Sequence, residues 1–364
     1  MEKTNEEYWK DLPSLKTIRA AIPAHLFQHN LARSLFHLFI DILQVAAVFY
    51  LGTFIPLIPY APIRYLIWPI YWFVSGTVAT GLWVLAHECG HRGFSSYRAV
   101  NHTVGYILHT FLLVPYHSWR ITHGLHHKYN ASMERDQVYI PQEKTESEAK
   151  QKSHAFLDAL VEAPIVGCLI MWVLGWPLYL FFNSSGQKMS GWPSHFNPYA
   201  AIFQPKHRSL VLLSDIGLAV WVAALYYISK VTSPFDVLMH FFLPYLWVNF
   251  WLVSITYLQH THEEIPHFRS KAWTFERGSS CTIDRDFGFL LNYFHHHIAD
   301  SHVVHHFFST MPFYNAVVAT PYIKEALGKY YQTKEGDVFS SCLSSWDRCR
   351  YVPAEGQIVC YRRN

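Results

Sequence analysis

The sequence predicts an all-α integral membrane protein with four transmembrane helices, interfacial helices and a cytosolic histidine-rich cap. Three observations predict it: long apolar stretches, a low share of charged residues, and short histidine clusters placed beside those stretches. Of 364 residues, 51% are hydrophobic and 15% charged, whereas soluble domains carry roughly 25% charged residues. A net charge of +3 without any block of like charges gives nucleic acid no electrostatic footprint. Six cysteines without a CxxC pair read as free thiols of a reducing compartment.

Residues 1–33 are polar to amphipathic, broken by Pro13 and Pro23, and read as a cytosolic segment on the membrane face. Their acidic start predicts no cleavable signal peptide. Residues 34–364 are then expected to form a single domain. Spans are expected at about 35–58 and 63–86, long enough to cross about 30 Å of hydrocarbon, with Pro56, Pro59 and Pro62 turning the chain between them. Arg92 and Arg98 after this hairpin place its exit on the cytosolic side. Residues 104–115 are apolar but too short to cross, so they read as a helix in the interface. The polar stretch 131–154 reads as a solvated linker. Two further spans are expected at about 210–228 and 237–258, separated by Ser233-Pro234. Residues 166–182 are apolar as well, but Gly167, Gly175 and Pro177 interrupt them. Clusters on either side can share one centre only if the chain crosses an even number of times between them. Residues 166–182 are therefore expected to be interfacial or re-entrant, and 87–165 and 261–364 to form the cap.

The clusters are His87-Glu-Cys-Gly-His91, His123-Gly-Leu-His126-His127 and His302-Val-Val-His305-His306. Each spacing puts its rings on one face of a helix, about one turn apart. Imidazole suits Zn, Cu, Fe and Ni, and eight imidazoles exceed the four ligands of a structural zinc site. They suffice for two metals. A histidine-rich pair of irons activates dioxygen against unactivated C–H bonds, which side chains alone cannot attack. His260 in Tyr257-Leu-Gln-His260-Thr-His262 is the candidate for a further ligand, with His262 behind it as second choice or hydrogen-bond donor. Glu88 and Asp300 adjoin ligands and are expected either to orient imidazole N–H groups or to be solvated carboxylates. Arg135-Asp136 and Arg285-Asp286 read as pairs bracing the cap or lying on its surface. His295, His296 and His297 read as lying behind or outside the ligand set. Cys89 and the isolated His109, His117, His154, His195, His207 and His240 read as structural. A histidine-lined metal transporter would carry its ligands inside the spans, and a b-type cytochrome would need histidine pairs across two spans. Neither explains HxxHH occurring twice.

The order HxxxH, HxxHH, HxxHH resembles that of the membrane fatty acid desaturases. Leu113-Val-Pro-Tyr-His-Ser-Trp119, Glu134-Arg-Asp-Gln-Val-Tyr-Ile-Pro141, Ile283-Asp-Arg-Asp-Phe-Gly288 and His302-Val-Val-His-His-Phe-Phe-Ser-Thr-Met-Pro312 are similar to the Δ12 (oleate) and ω-3 acyl-lipid branch, particularly its fungal members. The resemblance runs from about Pro13 to the C-terminus. It implies an O2-dependent enzyme of the endoplasmic reticulum membrane whose histidine boxes face the cytosol. Two Fe2+ ions would be held by His87, His91, His123, His126, His127, His302, His305 and His306. The implied substrate is a fatty acyl chain in membrane lipid, most readily phospholipid-linked. Electrons would come from a separate cytochrome b5 and its NADH reductase. Δ12 desaturation of an oleoyl chain is the leading expectation. Arg92-Gly93 and Asp300-Ser301 differ from the pairs expected beside the boxes of a plain oleate desaturase, which keeps a Δ12/Δ14 acetylenase, a hydroxylase or a conjugase open.

Overall fold

The computed structural model describes residues 2–144 and 161–363, so His154 and part of the 131–154 linker lie outside the described residues. The chain is mostly helical. After a short helix α1 (Leu15–Ala21), the long helices are α2 (Leu31–Gly52) and α3 (Ala61–His91). Next come α4 (Arg98–Phe111), α5 (Tyr116–Tyr129), α6 (Pro164–Phe182) and α7 (Arg208–Val231). Helix α8 (Pro234–His260) contains a π-helical turn at Leu238–Phe242. The remainder folds into the short helices α9 (Phe275–Ser279), α10 (Phe289–Phe294), α11 (His302–Phe307), α12 (Phe313–Leu327) and α13 (Val338–Arg348).

The expectation of a purely α fold needs one correction. Pro266–Phe268 pairs antiparallel with Ile358–Cys360, and Asp284–Arg285 pairs parallel with Thr333–Lys334. These pairs are two or three residues long, too short to leave a period in the sequence. They tie the C-terminal tail to the segment after α8.

Helix α3 is the axis of the molecule. Its 31 residues at 1.5 Å each extend about 46 Å, well beyond the roughly 30 Å of hydrocarbon. Its first half exposes Tyr65, Leu66 and Ile70, while Ser75 through Cys89 are buried without a break. The span expected to stop at residue 86 therefore continues as helix through the first histidine cluster. Helix α8 packs against α3 at closest range around Gly76, where a Cβ would fall 2.3 Å from Trp247 Cβ and 2.6 Å from the Pro244 carbonyl oxygen. Only glycine allows that approach, as in tightly packed membrane helix pairs. Trp251 Nε1 donates to Thr77 Oγ1 at 2.8 Å beside it.

Among the described residues, five helices are long and apolar enough to cross a membrane: Leu31–Leu57, Ala61–His91, Pro164–Phe182, Pro205–Val231 and Pro234–His260. Four were expected, and α6 is the addition. Its leucines and phenylalanines form an unbroken helix despite Pro177 because an exposed apolar helix keeps its remaining backbone bonds internal. The two ends of α6 are tied to α13 and to the histidine-bearing α5. Trp346 Nε1 on α13 donates to the Val161 carbonyl at 3.1 Å just before α6 starts. Near its end the Tyr179 hydroxyl lies 3.1 Å from Thr122 Oγ1 on α5.

The N-terminal segment packs on the tail rather than lying alone. Trp9, Ile18, Ile22 and Leu26 are buried with Phe268, Ile283, Val303, Val304 and Ile323 in one apolar cluster. That cluster backs α11 and so fixes the third histidine box.

Candidate metal centre

Three helix segments and one helix end converge. Helix α3 presents His87 and His91 from its last turns, α5 presents His123, His126 and His127, α11 presents His302, His305 and His306, and α8 ends on His260. His87, His91, His123, His127 and His305 bring one ring nitrogen each to within 4.8 Å of one another. His126, His260 and His306 form a second group by the same measure. His302 adjoins the second group, its Nε2 lying 3.1 Å from His260 Nε2. The groups touch where His127 and His306 stack with ring centroids 4.0 Å apart.

Hydrogen bonds behind the rings decide which nitrogen faces inward. His87 Nδ1 lies 3.0 Å from Glu88 Oε1, and His305 Nδ1 lies 3.4 Å from the same oxygen. Both oxygens of Asp136 lie 2.9 Å from His126 Nδ1. His302 Nδ1 donates to the Ile298 carbonyl at 3.2 Å. An Nδ1–H donated outward leaves the lone pair on Nε2. Yet His87 and His123 meet Nε2 to Nε2 at 2.8 Å, and His126 and His260 at 3.3 Å. Ring nitrogens this close either share a proton, one Nε2–H donating to the other, or turn both lone pairs on a cation between them. The buried Nε2 atoms of His91, His305 and His306 have no hydrogen-bond partner, which in a folded interior signals a ligand position. The residues fit two metal ions.

Burial, reinforced by neighbouring imidazoles, pushes His123, His127, His305 and His306 well below the usual histidine range. Burial also brings His302 down to about 3. All five are neutral at pH 7, the form that binds metal.

Other sequence candidates fall outside both groups. His262 is partly exposed, its Nε2 3.8 Å from Glu263. Asp300 does not orient a box histidine; its Oδ2 accepts from His297 Nδ1 at 2.9 Å, because its side chain turns back along its own segment. His296 pairs with Asp41 of α2 at 2.6 Å, and His295 packs against Trp251. Cys89 is buried against α4, where a Cβ on Gly105 would meet it. His109 sits between Trp83 and Trp119, and His240 packs on Trp68 and Tyr71.

The bracing pairs are also corrected. Arg135 stacks over Tyr129 and Trp273, which frees Asp136 to hold His126. Arg285 donates to the Leu258 carbonyl, and Asp286 accepts from Gly288 N and Asn292 Nδ2. Nothing in the local spacing distinguishes Asp136 from a surface acid. Glu88, by contrast, is fixed by Gly93: a Cβ there would fall 2.7 Å from Glu88 Oε2 and 3.1 Å from the Met311 carbonyl. Arg92-Gly93 thus ends α3 with Arg92 in the left-handed region at φ 65° and lets the loop after α11 close over Glu88.

A cavity of about 930 Å³ opens between α6, α8 and the loops after α5 and α6. It reaches His123 and is walled by Trp83, Trp119, Trp176, Tyr179 and Tyr257. Its lining is mainly apolar, with Glu143, Glu162, Lys188 and Arg350 also on the wall, and a cleft of this kind that reaches a candidate ligand suits a long hydrocarbon.

A fatty acid desaturase family model matches residues 66–335. The chain belongs to the fatty acid desaturase family. It is a membrane-bound oxidoreductase on that ground. Among desaturases of known description, the chain is 43% identical to a Delta(12) fatty acid desaturase of Mortierella isabellina, with 96% of this chain and 90% of the relative covered. It is 42% identical to a Delta(12)-fatty-acid desaturase of Arabidopsis thaliana over 93% of this chain and 87% of the relative. An oleate hydroxylase of Claviceps purpurea is 40% identical over 88% and 72%. The resemblance drawn from the boxes is thereby borne out for this desaturase.

Two buried histidines outside the groups give the desaturase a predictable acid sensitivity. Burial holds His195 down to about 4 and His267 down to about 3. Unfolded, both take up a proton near pH 6.5. As pH falls below that value the unfolded chain binds protons that the folded chain refuses, so stability drops. Each contributes a loss of about 1.4 kcal/mol per pH unit until its folded value is reached. Thermal unfolding in detergent should show a midpoint falling from pH 6.5 to pH 5, with a shallower fall in His195→Gln. An unchanged slope in that variant would refute the assignment.

Proposed function

We propose that this desaturase introduces a Δ12 double bond into the oleoyl chain of a membrane lipid, in line with its Mortierella and Arabidopsis relatives, which are Delta(12) desaturases by name. The observation that carries the reading is the convergence of nine imidazoles into two touching groups at the end of an apolar cavity. His87, His91, His123, His127 and His305 would hold one iron, and His126, His260, His302 and His306 the other. Bound there, two ferrous ions would activate O2 and supply the oxidising power to remove two neighbouring hydrogens from the acyl chain. The chain's own residues do the rest. Glu88, Asp136 and the Ile298 carbonyl fix ring orientation, and the aromatic walls of the cavity exclude water and set which carbons lie nearest the ligands.

We further infer four crossings, with 1–33, 87–165 and 261–364 on the cytosolic side. His126 and His260 meet at 3.3 Å, so the chain between them crosses an even number of times. Of α6, α7 and α8, the first is the best candidate to remain on one side. It is the shortest, and both its ends bond to α5 and α13. An endoplasmic reticulum location, cytochrome b5 with its NADH reductase, and a phospholipid-linked substrate follow from the family resemblance and complete the proposal. The Claviceps relative supports one second reading, oxygenation of the same chain. Expression in a yeast that makes no linoleate, followed by gas chromatography and mass spectrometry of its fatty acids, tests both. Linoleate supports the proposal, a hydroxylated oleate supports the second reading, and an unchanged profile with intact, iron-loaded protein overturns both.

A further inference from the structure

Beside the first histidine box lies a group of cations that the chemistry above does not use. Arg92 follows the box, Arg98 starts α4, and Arg120 lies on α5 one residue after Trp119 of the cavity wall. Arg98 Nε donates to His102 Nε2 at 3.2 Å, and His102 Nδ1 lies 3.4 Å from the Tyr116 hydroxyl. The His117 ring is 5.8 Å from that of His102, and its Nδ1 is buried without a partner. Arg120 passes the end of α3, where its Cγ lies 3.5 Å from the position of a Cβ on Gly90. Arg120 Nε is buried and bonds to no acceptor among the described residues. Burial, with Arg98 and Arg92 adding to it, holds the Arg120 guanidinium below its usual value, and Tyr116 is what acts against them. Among the described residues no carboxylate contributes to that balance.

Among the described residues this cluster has no counter-charge. The guanidinium groups repel one another, and a buried N–H without an acceptor is unfavourable. One oxyanion among the three arginines would relieve both, and the guanidinium fork matches phosphate oxygens in pairs. The surroundings narrow the source of that anion. Helix α4 begins beside exposed Tyr97 and carries exposed Ile107 a few turns on, so the site borders a surface fit for lipid. Arg92 and Arg98 are exposed while Arg120 Nε is buried, so the cluster runs from the surface inward.

We propose that Arg92, Arg98 and Arg120 form a binding site for the phosphodiester of a membrane phospholipid, holding the headgroup beside the histidine boxes. This rests on the acyl-lipid reading given above, and it adds which charge on the lipid is recognised and by which side chains. Inorganic phosphate offers similar oxygens, so the test separates the two.

The test is retention of lipid by the full-length protein purified in an uncharged detergent and read by native mass spectrometry. Dioleoyl phosphatidylcholine and dioleoylglycerol, which has the same chains and no phosphate, serve as probes. Arg98→Gln/Arg120→Gln should lower retention of phosphatidylcholine about tenfold, the scale of one lost charge-assisted pair, and leave dioleoylglycerol unchanged. Arg120→Lys should recover part of the loss. Arg98→Gln alone, at an exposed position, should show a smaller loss and guards against misfolding of the double variant. Equal retention by all variants overturns the proposal. Displacement of the lipid by millimolar inorganic phosphate, with phosphate bound in its place, overturns the lipid assignment in favour of a free-anion site. Unchanged retention with slower electron uptake from reduced cytochrome b5 overturns it in favour of a docking surface. Retention is read without turnover, so a protein that selects phosphatidylcholine in this way but never oxidises oleate would sink the proposed activity and leave the site standing.

Discussion

His260→Ala should abolish desaturation and lower bound iron from about two per chain toward one, whereas His262→Ala should leave both unchanged. The two residues are separated by one position in sequence and by everything else in structure. His260 is the last residue of α8, buried, with its Nε2 against both His126 and His302. His262 has already left the helix, and its ring turns to Glu263 and to the backbone of Glu264. Loss of the His260 ring removes one of four donors from the second group and opens a void between α5 and α11. The first group, held by five imidazoles from other elements, keeps its ligands. Metal analysis of the purified variants beside a wild-type preparation, with turnover measured on the same samples, checks the prediction. Iron loss in His262→Ala, or full iron and turnover in His260→Ala, would remove His260 from the site.

The sequence made the boxes legible because ligand chemistry restricts residue type and helical periodicity restricts spacing. HxxxH and HxxHH each declare a single helical face, and the structure places all eight of those histidines in the converging cluster. Where helices end was less legible. Residue 86 closes the apolar run of α3, but the helix continues through His91 because its last turns are buried by α5 and α11 rather than by lipid. Helix α6 was weakened on paper by Gly167, Gly175 and Pro177. In the fold Gly167 admits the Trp346 ring, so that glycine records contact with α13 and no break in the helix. The acids were least legible. Asp136 and Asp300 are each preceded or followed by ordinary polar neighbours, and only the tertiary path of the chain decides that one of them faces an imidazole of the centre.

That difference gives the second large prediction. Asp136→Asn should lower metal affinity and turnover by about 10- to 100-fold, the range for partners hydrogen-bonded behind metal ligands, while Asp300→Asn stays within about twofold of wild type. Asp136 is buried, both its oxygens face His126 Nδ1, and Oδ1 also accepts from the Val138 backbone N–H at 3.0 Å. An asparagine there keeps the shape. With its carbonyl committed to Val138 N–H, however, the amide would turn an N–H toward His126 Nδ1. The carbonyl oxygen, also 2.9 Å from Nδ1, can still accept there, but the amide N–H at the same distance competes with it and favours the tautomer that carries its proton on Nε2, the atom that faces His260. A proton on the inward nitrogen blocks ligation, so the effect exceeds that of a lost surface contact. Asp300 holds only His297, whose side chain is 39% exposed and belongs to neither histidine group. Rates of iron loss to a chelator, compared across wild type, Asp136→Asn and Asp300→Asn, separate these outcomes. Equal rates in Asp136→Asn and wild type would mean that His126 needs no carboxylate to present Nε2, and the tautomer argument for the whole centre would lose its strongest member.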